Sequence, residues 1–242
     1  MHVFNVEFAK LNIEINCRYD YTYNLCKDYL TDEKAEFSVC PDESDIDKEI
    51  EISEFTPPRY YAESICVYRA ISEILPLYNR IIFHGAVISY KGNGYIFTAP
   101  SGTGKTTHIK LWEKYVDGVE IVNGDKPLLQ IENGSVIAYA TPYAGKEGYQ
   151  NHSLAEIKGI CLIKRGTENR IRRVTSGEVL TRLMAQMYLP ENPESTLKTL
   201  DLLDSLVKTV PLYELECDMS EEAVKTSFEA LTGESYRCKN ED

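Results

Sequence analysis

Ala99-Pro100-Ser101-Gly102-Thr103-Gly104-Lys105-Thr106-Thr107 is the stretch from which this chain is best read. Its first eight residues fit the phosphate-loop pattern G-x-x-x-x-G-K-[ST], with Ala99 standing where the first glycine is usual. The flanks agree with that pattern. Tyr95-Ile96-Phe97-Thr98 reads as a strand, and Ile109, Leu111, Trp112 and Tyr115 recur at the spacing of an amphipathic helix over 104–115. Gly102 and Gly104 would let the backbone curl so that successive N–H groups face phosphate oxygens. The helix start would add its partial positive charge. Lys105 would reach the β- and γ-phosphates, and the Thr106 hydroxyl would ligate Mg²⁺. Ser101 through Thr107 is thus the expected nucleotide-binding set.

Such a loop needs an acidic residue at the end of a neighbouring strand to hold the metal. Glu120-Ile121-Val122-Asn123-Gly124-Asp125 reads as a strand ending in Asp125, twenty positions after Lys105. That separation has room for one helix and one strand. The alternative is an ordinary turn, since Asn-Gly is a common turn dipeptide.

Ser101 to Thr107, followed so closely by Asn123-Gly124-Asp125-Lys126, resembles the nucleotide site shared by HPr serine kinase/phosphorylases and ATP-dependent phosphoenolpyruvate carboxykinases. His84-Gly85-Ala86 is similar to the His-Gly before the phosphate loop in HPr kinases. Thr141-Pro142-Tyr143-Ala144-Gly145-Lys146-Glu147-Gly148 resembles the stretch after the carboxylate in smaller HPr-kinase-like proteins. The resemblance spans roughly residues 80–217. It implies an α/β fold with a mixed sheet like the HPr kinase C-terminal domain or phosphoenolpyruvate carboxykinase, carrying a P-loop, with a small α+β region before it. It also implies a kinase using ATP and Mg²⁺, with a serine hydroxyl of a peptide or small protein as acceptor.

The resemblance also assigns residues. Thr106 and Asp125 would hold the metal, and Lys105 would offset charge on the transferred group. Asp125 or Glu147 would take the acceptor's proton, and His84 would contact the transferring or product phosphate. One position departs from the family. The usual pair of adjacent aspartates reads Gly124-Asp125 here, so Asp125 acts alone, or Glu147 supplies the second carboxylate, or transfer is impaired. Two further function classes therefore stay open: a nucleotide-binding regulatory or scaffold protein, and a kinase for a small metabolite such as free serine.

Lesser candidates have plainer readings beside them. His84 lies in an apolar run, where a histidine is often structural. Lys126 and Lys146 could neutralise developing charge or be exposed loop lysines. Arg165, with Arg170, Arg172 and Arg173, could clamp an acceptor or a phosphate, or belong to a solvated face.

Residues 1–57 read as a small N-terminal α+β region, with strands over Val3–Phe8 and Leu11–Ile15 and one helix, closed by Pro57-Pro58. The core follows over 58–233. It opens with a helix through Tyr61 to Leu75 that Pro76 ends, then one long strand over Ile81–Tyr90 and a turn at Lys91–Gly94. Further strands are expected at 119–122, 128–131, 135–139, 159–163, 171–174 and 210–216. Helices are expected at 176–188, 195–207 and 219–232, the last capped by Asp218 and stopped by Gly233. The polar tail 234–242 should fray.

Charge and cysteine usage bound the partners. The 242 residues carry a formal net charge of -12. Of this, -8 falls in Thr31–Phe55, while Lys158–Arg182 is locally +5. General attraction to nucleic acid or an anionic membrane is not expected. The seven cysteines form no C-x-x-C pair, and no apolar run approaches a bilayer span. The start shows no leader pattern, so a cytoplasmic protein without a structural metal is expected, with homo-oligomerisation left open.

Overall fold

The computed structural model describes residues 1–53, 55–149 and 152–239. The chain forms two compact units, Met1–Tyr78 with Leu189–Lys198, and Asn79–Tyr188 with Thr199–Asp242. The Pro57-Pro58 boundary read from the sequence lies inside the first of them.

In the first unit, β1 (His2–Phe8) and β2 (Leu11–Cys17) pair antiparallel through Ala9 and Lys10, which take φ of 50° and 62°. Positive φ at both central residues matches the twist of a two-residue hairpin. Leu11, Ile13, Ile15 and Cys17 are buried on one face of β2, as its period-two pattern requires. Helix α1 (Asp20–Cys26), β3 (Leu30–Thr31) and β4 (Phe37–Val39) follow, giving a four-stranded sheet in the order β3-β1-β2-β4. Helix α2 (Glu43–Ile52) starts with a reciprocal capping box between Asp42 and Asp45. Helix α3 (Arg59–Ile74) completes the set. Residues 1–57 thus hold two helices rather than the one expected. The acidic segment obscured α2, because its charged residues outnumber its core-facing ones. Much of that acidity is paired locally: Arg59 binds Glu43 and Asp47, Arg69 binds Glu49, and Arg18 binds Glu43.

The second unit is built on one large sheet. Its strands are β5 (Arg80–Ile82), β6 (Ala86–Tyr90), β7 (Asn93–Thr98), β8 (Val119–Asn123), β9 (Leu128–Glu132), β10 (Ser135–Tyr139), β11 (Leu154–Arg165), β12 (Arg170–Val174) and β13 (Leu212–Cys217). The order is β5-β9-β10-β11-β7-β6-β8, with β13 also pairing with β11 and β12 with β13. Strand β7 runs parallel to β11 and antiparallel to β6, so the sheet is mixed. Helix α4 (Lys105–Tyr115) covers β6, β7 and β8, and buries Ile109 and Trp112. Helices α5 (Ser176–Met184), α6 (Pro193–Thr209) and α7 (Glu221–Thr232) follow in the chain. The architecture is a mixed α/β protein with seven α-helices and two mixed sheets among the described residues.

Four expectations change. The run Ile81–Tyr90 is two strands, not one, because the Phe83, His84 and Gly85 N–H groups bond to Pro127, Gln186 and Asp125 carbonyls outside the β6–β7 hairpin. Helix α5 stops at Met184 rather than 188, since Gln186 and Met187 turn back to meet His84 and Phe83. The tail does not fray over 234–239: Glu234 pairs with Lys91, Tyr236 Oη donates to Glu221, and the Lys239 N–H donates to the Tyr115 carbonyl. Residues 240–242 lie outside the described residues. Ser220, not Asp218, occupies the cap position of α7, while Asp218 accepts from the Ser220 N–H. No helix among the described residues is long and apolar enough to cross a membrane.

Candidate functional site

The loop 99–104 leaves the end of β7 and enters α4 through two left-handed glycines, Gly102 at φ 75° and Gly104 at φ 117°. An added Cβ at either would meet nothing within 4 Å. Backbone conformation, and not crowding, therefore demands glycine at both positions. Gly104 is the residue before Lys105, so the first N–H groups of α4 follow directly on the curl.

Lys105 is 7% exposed and its Nζ donates to the Ala99 carbonyl at 2.9 Å. Burial lowers its proton affinity; attraction to Asp125 opposes that, and repulsion from Lys126 adds to it. Lys105, Asp125 and Lys126 are thus electrostatic neighbours although Lys105 lies twenty residues before the first of the other two. Arg165, at the end of β11, donates from Nε to the Thr103 carbonyl at 3.1 Å and from Nη2 to the Gly102 carbonyl. These two bonds tie the end of β11 to the loop.

Asp125 follows β8 in a turn built by a residue whose role was not read from the sequence. The Asn123 Oδ1 accepts from the N–H groups of both Asp125 and Lys126, each at 2.9 Å. Its amide donates to the Thr141 carbonyl and to Thr141 Oγ1. Asn123 is fully buried, so the turn is fixed from inside. The Asn-Gly dipeptide signalled the turn; the partner on Thr141 could not be found from spacing.

The strand break at 83–85 brings His84 to this turn. The Gly85 N–H donates to the Asp125 carbonyl at 2.8 Å, and His84 Nε2 lies 3.3 Å from Asp125 Oδ1. Lys126 Nζ lies 2.9 Å from the other carboxylate oxygen. Burial resists the charged form of Asp125, but the His84 contact and Lys126 outweigh it and hold the carboxyl at about 2. Asp125 is an anion throughout the neutral range.

The remaining sequence candidates fall elsewhere. Glu147 is exposed and pairs with Lys110 of α4 at 2.8 Å. Lys110 Nζ lies over the Tyr149 ring as well. Lys146 is exposed in the turn 145–148. Gly145, at φ 78°, packs close to Asp125: a Cβ there would lie 3.2 Å from Asp125 Cβ. Gly124 is equally confined: a Cβ there would lie 3.1 Å from the Ala144 carbonyl oxygen and 3.3 Å from Tyr149 Cβ. Glycine at 124 is thus built into the packing.

Mg²⁺ sites commonly take one or two carboxylates and complete their shell with substrate phosphates and water. No group of three or more His, Cys, Asp or Glu side chains able to hold a metal occurs among the described residues. A single anionic Asp125 near a glycine-rich loop is a donor set of that incomplete kind.

No protein-family model matches this chain, and no curated protein matches it. Among solved structures it shows a distant likeness to the Hpr(Ser) kinase/phosphatase from Coxiella burnetii. Identity is 14%, coverage is 50% of this chain and 86% of that one, and the TM-score is 0.30. A likeness of that size carries nothing about activity.

Proposed function

We propose that this chain binds ATP with Mg²⁺ and transfers the γ-phosphoryl group to a serine hydroxyl of a peptide or small protein. One observation supports this above all others: a buried lysine at the start of α4, behind two left-handed glycines, has an ionised Asp125 as its electrostatic neighbour. The curled backbone offers N–H groups to the phosphates, and Lys105 exchanges its bond with the Ala99 carbonyl for phosphate oxygens. Thr106 and Asp125 would hold Mg²⁺, which supplies positive charge between the phosphates. A carboxyl held at about 2 is a poor proton acceptor at neutral pH, so Asp125 suits cation binding better than base catalysis. His84, held against Asp125, and Lys126 are the side chains next to it that can meet a transferred phosphate.

A second reading, a nucleotide-binding regulatory protein without transfer, is favoured by two observations. Position 124 carries no carboxylate and a side chain there would crowd Ala144 and Tyr149, and Glu147 is engaged with Lys110. Labelled ATP separates the two: the kinase reading expects transfer to a serine peptide, the regulatory one binding with neither transfer nor hydrolysis. Both fail if wild type and Lys105→Ala bind MgATP equally.

A further inference from the structure

Strand β1 pairs with β2 over all seven of its residues, but with β3 only at Asn5 and Val6. Among the described residues, His2, Val3 and Phe4 therefore have no strand on that side. Successive residues of a strand turn their N–H and C=O to opposite edges, so at least one of the three presents both groups to the open side. Beside them lies a groove of about 470 Å³, walled by Val3 and Phe4, by Tyr23 of α1, and by Leu30 to Asp32. We propose that this edge receives an extended peptide segment of another molecule, rich in lysine or arginine, which adds as a strand in line with β3. The proposal is independent of the nucleotide reading.

Three observations carry it. First, the edge is unguarded. Sheets blunt such edges with Lys, Pro or a bulge. Strand β1 contains neither residue, and its register with β2 is unbroken. Val3 is 60% and Leu30 42% exposed at this place. Second, backbone groups that can take a strand stand next to apolar side chains that can take its alternate residues, which is the combination that strand addition uses.

Third, charge selects the occupant. Met1–Tyr78 holds sixteen acidic side chains against seven basic ones, a formal -9 out of the chain's -12. Local ion pairs leave that net excess unchanged. Asp32 is the charged side chain in the groove wall. A second copy of this chain would bring the same acidity to the edge, and the two would repel. A basic strand is attracted instead. Its side chains alternate, so one set can meet the apolar wall while the other carries cations toward Asp32.

Fluorescence polarisation on the full chain tests this with a tagged short peptide that alternates Lys with Val and Thr. Wild type is expected to bind it at least about tenfold more tightly than the counterpart with Glu in place of Lys. A version with Pro in place of Thr keeps the charge but lacks N–H groups that a ladder needs, and should also bind at least about tenfold more weakly. Val3→Lys, at an exposed position, should weaken the Lys peptide at least about tenfold with the urea midpoint unchanged. Asp32→Asn, also exposed, should weaken it about threefold and does not depend on the first variant folding. Equal binding of the Lys peptide and its Pro version would reduce the effect to general charge attraction and overturn the strand addition. Absence of binding to wild type would overturn it too, as would either folded variant binding like wild type. A wild type that sediments as a dimer, and as a monomer once Val3→Lys is introduced, would give the edge to a second copy and overturn the peptide occupant.

Discussion

Asp125 and Glu214 are carboxylates that burial opposes and nearby cations hold at about 2, yet they sit in unlike surroundings. Glu214 lies in the middle of β13 and pairs with Lys164, Arg172 and Arg182. Arg170 meets Glu216, and Arg172 also meets Glu178. The +5 stretch that could have faced phosphates is therefore largely answered by carboxylates of its own sheet and of α5. Asp125 is held by one lysine and one histidine, in a turn flanked by Gly124 and Gly145 and next to a glycine loop. The same low end value belongs to a closed charge lattice in one place and to a glycine-flanked turn in the other. Backbone shape tells them apart; the titration does not.

Paired substitutions put that contrast to the test. Lys105→Ala should abolish measurable MgATP binding, a loss of about 100-fold or more, whereas Glu214→Ala should leave affinity within about twofold; calorimetry on both proteins reads the difference. Asp125→Asn should cost about 100-fold in transfer rate with nucleotide binding much less affected, measured by peptide phosphorylation at saturating ATP. A comparable rate loss in Glu214→Gln would erase the distinction drawn above.

Stability should divide the other way. Glu214→Ala leaves three cations around a vacated site and is expected to cost about 3 kcal/mol in urea unfolding. Gly124→Asp, which adds a carboxylate next to Asp125, should cost about 1–3 kcal/mol through crowding against Ala144 and Tyr149 and should not raise transfer.

Acid titration gives the smallest effect. Both carboxyls have folded values near 2 against ordinary values of 3.8 and 4.5, so the unfolded chain binds more protons between those limits. Their contribution is present above about pH 4.5 and is lost as pH falls toward 2. Burial also pushes His108 down to about 4, so it opposes folding as pH drops below its ordinary 6.5. Urea midpoints of wild type and His108→Gln from pH 7 to 4 should converge on acidification, the wild type falling faster.

The second unit was legible wherever short-range patterns carry the structure. Three of its hairpin and loop glycines, Gly92, Gly102 and Gly134, occupy the left-handed region that their contexts announce. Strand and helix periods placed β8, β9, β10, β12, β13 and α4 within two residues, but found only the middle of β11, which begins at Leu154 rather than 159. What stayed hidden was non-local. An apolar run from Ile81 to Tyr90 gives no sign that Phe83 to Gly85 will bond to Pro127, Gln186 and Asp125 instead of continuing a ladder. Glu147 was selected for its charge, but Lys110, one helix away, claims it. Asn123 was read as turn punctuation, while its side chain in fact organises the carboxylate turn.

Trp112, the chain's single tryptophan, is fully buried one turn beyond His108, its indole N–H bonded to Ser227 and close to His108 Nε2. The protein thereby carries a native optical reporter on the helix that begins at Lys105. Emission from that one indole can follow occupancy of the loop in unlabelled protein, with no second fluorophore of its kind to subtract.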